Sequence, residues 1–398
     1  MDALTTPLPK DWEIKTFRDI STINQGLQIP ISQRLKAPTE HAKFYITIQA
    51  LNNRKEFEYI KTYNESVVCH KDDILMTRTG NTGMVITNIE GVFHNNFFKI
   101  NFDRTLINKD FLVYFLSLEQ TQKTILRKAG TSTIPDLNHN DFYSLSIPLP
   151  PLNEQIAIAN VLSDVDHYLY SLDALILKKE SVKKALSFEL LSQRKRLKGF
   201  NQAWQRVRLG TYKYRRGSFP QPYGNPQWYS DNGMPFVQVY DVGENFKLNQ
   251  KTKQKISKIA QPMSVFVPKN SVIITLQGTI GRVALTQYDC YCDRTILIFD
   301  NNTLNDVNKY FFVLSLFTKF EEEKRKADGS IIKTITKQTL KDFEIPLPPL
   351  NEQIAIANIL SALDNEIASL KNKKRQFDNI KKALNHDLMS AKIRVLKK

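Results

Sequence analysis

The sequence is short of the residues and spacings that most enzyme sites are built from. Its 398 residues include only three cysteines, Cys69, Cys290 and Cys292. So sparse and odd a count excludes a disulfide framework and suits a reducing compartment. Cys290-Tyr291-Cys292 puts both sulfurs on one side of a strand, but no second Cys/His pair stands nearby to complete a zinc site. The plain reading is buried or surface thiols, and no metal site is expected. There is no GxxxxGKS/T loop for nucleotide phosphates, no HExxH spacing and no carboxylate cluster with a lysine, and the six histidines are scattered without a partner nucleophile. No apolar run approaches the ~20 residues needed to span a bilayer. The opening MDALTTPLPKDW has no basic-plus-apolar leader pattern, so a cytoplasmic location with no membrane contact is expected. Acidic residues are also in deficit, 40 against 56 basic ones, for a formal charge of +16. That balance calls for a polyanionic partner, with nucleic acid foremost.

What is present is a duplication. Ile147–Asn160 reads IPLPPLNEQIAIAN, and Ile345–Asn358 repeats it letter for letter, 198 positions later. Pro148, Pro150 and Pro151 cannot lie inside a helix and force an extended corner. Asn153 is a good helix N-cap, and Glu154 places a carboxylate where the helix dipole favours it. Beyond the corner Ile158, Leu162, Val165, Leu169, Leu172, Ile176, Leu186 and Leu190 fall on a heptad. Ile356, Leu360, Leu363, Ile367, Leu370, Phe377, Leu384 and Leu388 do so in the second copy. Such spacing is the signature of a coiled-coil seam. Lys179, Lys183, Lys374 and Lys381 sit on the same rows, so the seam is expected to weaken distally. Helices of ~45 residues, roughly 65 Å long at ~1.5 Å per residue, are best satisfied by pairing with each other.

The segments before each corner read as strands and turns. In the first, Phe44–Ile48, Ile74–Met76, Met84–Thr87 and Phe97–Asn101 alternate with Gly, Asn and Asp, and a helix is expected over Asp110–Arg127. The second repeats the order. Asp73–Gly83 aligns with Ser271–Gly281, and Tyr114–Leu118 with Phe312–Leu316, both at an offset of 198. Arg34–Lys61 has no counterpart in Arg215–Lys258. The predicted fold is therefore α+β: two mixed domains, 1–152 and 199–350, separated by two long helices, 153–198 and 351–398. The helices pair as an antiparallel coiled coil, with internal pseudo-two-fold symmetry. A common scaffold with unlike loops is what two readers of different targets look like.

Asn225-Pro226-Gln227-Trp228 is similar to the Asn-Pro-Pro-aromatic loop of amino-methyltransferases. Gln227 breaks it, and no glycine-rich turn for a methyl donor accompanies it. What remains are loops suited to DNA. Arg78, Thr79, Asn81 and Thr82, and in the second domain Gln277, Thr279 and Arg282, combine glycine turns with side chains able to touch phosphates or base edges. A purely geometric turn is the other reading. Arg215, Arg216, Gln221 and Tyr223 form a basic, amide and aromatic loop whose first-domain counterpart holds Arg34, Lys36 and Lys43. Arg127 and Lys128, and Lys324, Arg325, Lys326 and Lys333, are candidate phosphate contacts.

With these features the chain resembles the specificity (S) subunits of type I restriction–modification systems. The resemblance rests on the doubled IPLPPLNEQIAIAN, the Gly-x-x-Gly turns and the domain–helix–domain–helix order, and it covers essentially the whole sequence. It implies two target recognition domains, each reading one half of an asymmetric bipartite site in double-stranded DNA, and a helical spacer that docks two modification subunits. Asn153, Glu154, Gln155, Asn351, Glu352 and Gln353 become candidates for that subunit interface. The chain itself is implied to be non-catalytic and to bind no cofactor. S-adenosylmethionine, Mg and ATP belong to partner modification and restriction subunits, within a site-specific endonuclease and adenine methyltransferase complex. A stand-alone DNA-binding or coiled-coil scaffold protein is the alternative.

Overall fold

The computed structural model describes residues 8–52, 57–130, 135–243, 245–278, 280–326 and 337–396, with the side chains of Lys326, Lys337 and Thr339 left out. The chain divides into two compact units, residues 1–175 with 371–398, and residues 176–370. The division falls inside both long helices.

In the first unit Glu13–Thr16 pairs antiparallel with Ser146–Leu149. This ribbon is the extended corner that the prolines enforce, and a two-stranded edge tolerates Pro148 because little ladder is lost there. A four-stranded sheet follows, in the order Ser21–Gln25, Phe97–Phe102, Ile74–Thr77, Val85–Ile86. A second sheet runs Tyr59–Ile60, Lys43–Ile46, Gly91–Phe93, Val68–Cys69, with the central pair parallel. Ile74, Met76, Phe98 and Ile100 form one core with Phe111, Leu112, Phe142 and the long-helix residues Ile158, Leu162 and Leu388. Leu75 and Phe97 point into the other core, with Tyr45 and Phe93. Strand alternation thus feeds two cores from one sheet.

Two local expectations change. The strand expected over Phe44–Ile48 ends at Ile46, and Ile48–Asn52 is a short helix. The helix expected over Asp110–Arg127 is two, Lys109–Leu116 and Glu119–Ala129, because Leu118 takes an extended conformation between them. The break is satisfied locally: Gln122 Nε2 donates to Leu116 O at 2.6 Å and to Gly83 O at 2.8 Å.

The second unit repeats the plan. Gln205–Arg208 pairs with Glu344–Leu347. One sheet runs Tyr214–Arg216, Ile296–Phe299, Val272–Thr275, Val283–Leu285, and the other Gln254–Ile256, Tyr229–Val237, Cys290–Cys292, Val265–Val267. Cys290 and Cys292 are both buried in one core, on the same side of their strand as the alternation predicts. Here the covering helix, Lys309–Lys326, is unbroken. Its start corrects the internal alignment. Asn108 and Asn308 both accept from the backbone N–H three residues on, at 2.9 and 3.0 Å. These helices therefore correspond at an offset of 200, not the 198 that matching Tyr114–Leu118 to Phe312–Leu316 suggests.

The long helices are Leu152–Leu191 and Leu350–Met389. In the first unit Lys374 meets Asp173 at 2.9 Å and Lys381 meets Asp166. In the second Lys179 meets Glu366 at 2.8 Å and Lys183 meets Asp364. Rising numbers on one helix meet falling numbers on the other, so the pairing is antiparallel within each unit. The lysines do not simply weaken the seam: each of the four finds an acid on the opposite helix. The Tyr114 hydroxyl also donates to Asp166, at 2.8 Å, and the Tyr310 hydroxyl to Asp364.

Candidate nucleic-acid interface

The start of each long helix is a buried polar knot. Glu154 and Gln155 are 2% and 1% exposed, and Glu352 and Gln353 both 1%. Glu154 accepts from Trp12 Nε1 at 3.1 Å and from Arg394 at 2.6 and 2.7 Å, while Arg394 also reaches Asp11. Glu352 accepts from Trp204 Nε1 at 3.0 Å and from Arg196 at 2.7 Å. Gln155 accepts from Asn108 N at 2.9 Å and donates to Leu106 O and Pro150 O. Gln353 does the same with Asn308 N, Asp306 O and Pro348 O. These four side chains are thus spent inside their own units, because a charge or amide at a tight corner needs every partner it can reach. Among the groups left facing solvent at the helix starts are Asn153 and Ile156, and Asn351 and Ile354.

The Gly-x-x-Gly turns connect strands. Gly80, Gly83, Gly278 and Gly281 all have positive φ, the left-handed region that only glycine enters freely. Buried Thr77 and Thr275 hold the turns: Met84 N and Arg282 N donate to their hydroxyls at 2.8 and 3.0 Å. Arg78 forks onto Asp136 with bonds of 2.8 and 2.6 Å, which hold the Asp136 carboxyl below its ordinary value. Thr82 donates to Pro135 O at 2.7 Å, and Thr79 bridges to Asp136. Asn81 and Gln277 are exposed, while Arg282 is half-buried and donates to Val242 O at 3.1 Å.

Other candidates divide in the same way. Arg34, 15% exposed, donates to Ile29 O and to Glu58. Burial pushes the Glu58 carboxyl up, but bonds from Lys36 and Arg34 outweigh it and hold it below its ordinary value. Lys36 is otherwise solvated, and Lys43 lies over the Tyr63 ring. Lys128 donates to Ser144, and Arg127 is exposed. Arg215 donates to Phe266 O at 3.1 Å. In the first unit Lys99, from the neighbouring strand, takes the matching carbonyl of Val68 at 2.8 Å. Either cation links its two sheets. Gln221 is exposed. Tyr223 packs on Phe219 and donates to Asp293 at 2.9 Å. Lys324 and Arg325 bond to Glu321 of their own helix. Thr279 and Lys333, and the Lys326 side chain, lie outside the described residues.

The structure also gathers residues that the sequence reading passed over. In each domain the turn before the central strand, His94–Asn96 or Asp293–Thr295, stands beside the Gly-x-x-Gly turn. Arg78 N donates to Asn96 O, and Leu276 N to Thr295 O, both at 2.8 Å. Gly26 N donates to Phe97 O and Gly217 N to Ile296 O, bringing in the ends of the strands that carry Gln25 and Arg216. The two domains thus form equivalent loop clusters whose partners are far apart in sequence.

The chain matches the family described as Type I restriction modification DNA specificity domain over residues 9–179 and 219–377. Two type I restriction enzyme specificity subunits of Methanocaldococcus jannaschii are similar to it. MjaX is 26% identical, covering 98% of this chain and 95% of its own, and MjaVIII is 24% identical, covering 98% and 94%. The crystal structure of the S subunit from M. genitalium shares the fold, with a TM-score of 0.61 at 16% identity, covering 96% of this chain and 98% of that one. With the family matched over most of its length in two copies, the chain belongs to the type I restriction–modification DNA specificity family.

Proposed function

We propose that this chain is the DNA-recognising subunit of a type I restriction–modification complex and reads a split, asymmetric site. Residues 1–152 read one half and 199–350 the other, while 153–198 and 351–398 form the spacer on which two modification subunits dock. The observation that carries this reading is one scaffold built twice with unlike loops, in a chain of the specificity family. Methyl transfer, with S-adenosylmethionine, and Mg- and ATP-dependent work fall to the partner subunits, and the assembly acts in the cytoplasm. Ile156 and Ile354, both 41% exposed beside the buried Glu/Gln knots, are apolar groups for docking.

The test is equilibrium binding of the chain, assembled with modification subunits, to duplexes carrying or lacking its site. Affinity for the site should exceed that for unrelated DNA by at least ~10³-fold. Both affinities should fall steeply with salt, because each neutralised phosphate releases counterions. Equal affinity for both duplexes at every salt concentration contradicts the proposal.

A further inference from the structure

We infer that Asn95 in the first domain and Arg294 in the second occupy the same scaffold position and read bases, adenine in one half-site and guanine in the other. The inference rests on the proposed function and adds the residues and the base classes.

The equivalence comes from backbone bonds rather than from sequence matching. Phe97 N donates to His94 O, and Ile296 N to Asp293 O, both at 2.9 Å. The adjoining turns dock identically through Asn96 O and Thr295 O. The first residue of each turn caps it by a different chemistry: His94 Nδ1 accepts from Asn96 N at 3.1 Å, while Asp293 accepts from Arg294 N and from the Thr295 hydroxyl, at 2.7 and 2.8 Å. The scaffold is therefore fixed by residues next to Asn95 and Arg294, which leaves these two side chains free to differ.

Neither side chain is spent on the fold. Asn95 Oδ1 is buried with no partner, a costly position that the side chain relieves by turning outward to a base, and its amide nitrogen makes only a 3.4 Å contact to exposed Gln28. In the second domain Arg294 is exposed and lies over the Tyr223 ring, its centroid 5.2 Å from the guanidinium carbon, so the fork is oriented but not consumed. At the neighbouring strand end Arg216 Nε is buried without a partner. By contrast Arg34 and Arg78 are spent on Glu58 and Asp136. An asparagine amide matches N6 and N7 of adenine bidentately, and an arginine fork matches O6 and N7 of guanine. An amide in one domain and a guanidinium in the other at the same place is how one scaffold reads two sequences.

The experiment selects bound duplexes from a library randomised across both halves of the site, using the complex with modification subunits. Arg294→Asn should abolish a guanine preference at one position of one half, by ~10- to 100-fold, and leave the other half intact. Arg294→Lys keeps the charge but not the fork, so it should lose the same preference while retaining non-specific affinity. Asn95→Arg should move one position of the other half from adenine toward guanine. Asn95→Ala, which makes no demand for space, should flatten the adenine preference there. Unchanged preferences in Arg294→Asn, or an equal loss on all sequences, overturn the inference while a wild-type bipartite selection leaves the proposed function standing. A wild-type complex that selects no bipartite site overturns both.

Discussion

Trp12 donates its indole N–H to Glu154 at 3.1 Å across 142 residues of chain. The bond fastens the opening segment to the start of a long helix, and Arg394 closes on the same carboxylate. Removing Glu154 leaves the Trp12 indole N–H without its acceptor and Arg394 with Asp11 alone. Glu154→Ala is expected to destabilise the protein by about 3 kcal/mol, and Trp12→Phe, which loses a single hydrogen bond, by about 1 kcal/mol. Denaturant titration followed by fluorescence measures both. An unchanged midpoint for Glu154→Ala would remove the knot from the account.

The lysine–acid pairs that set the helix pairing can be tested by a double-mutant cycle. Lys381→Ala and Asp166→Ala should each cost about 1 kcal/mol and be coupled by about 0.5 kcal/mol, given that both groups are roughly a quarter exposed. The exchanged pair, Lys381→Asp with Asp166→Lys, should recover part of the loss. Strictly additive single effects would show that the ion pair contributes nothing.

Alkaline pH probes the tyrosines that share these acids. Burial first, then the hydrogen bond to Asp364, pushes the Tyr310 hydroxyl well above its ordinary 10, and Tyr114 is raised in the same way by burial and Asp166. A raised folded value means stability fully present below pH 10 and lost as pH rises above it. The stability difference between wild type and Tyr310→Phe should therefore be constant up to about pH 9.5 and shrink above pH 10. A difference that grows with alkalinity contradicts the assignment.

Gly217 marks a close chain crossing: an added Cβ would lie 2.2 Å from Cys292 O and 2.3 Å from Asp293 O. Backbone cannot yield as a side chain does, so Gly217→Ala should cost about 3 kcal/mol or more in the second domain. Gly224, with nothing within 4 Å of its Cβ position, is the control. Limited proteolysis distinguishes the two. Equal resistance in both variants would show that the crossing can relax.

Much of this architecture is legible in the sequence because it depends on local signals. The proline corner, the heptad rows and the repeated IPLPPLNEQIAIAN each lie within one contiguous stretch. What sequence reading misses is decided by distant partners. Glu154 and Glu352 look like surface residues until Arg394 and Arg196 close over them, 240 and 156 positions away. Arg34, Arg78 and Arg215 look like free cations until Glu58, Asp136 and the Phe266 carbonyl take them up. The Asn95 and Arg294 turns carry no motif at all. Their equivalence appears only in the hydrogen bonds of the folded sheets, since the flanking Gly26 and Gly217 do not keep the 198 offset of the Gly-x-x-Gly turns and the doubled IPLPPLNEQIAIAN.

The most direct test of the central claim is methylation sequencing of a host that carries this chain with its modification partner. Two domains of one scaffold with unlike loops predict a single motif made of two different short sequences separated by an unspecified gap. Changes at Arg294 should alter one of those sequences, and changes at Asn95 only the other. A continuous or palindromic motif would contradict the account.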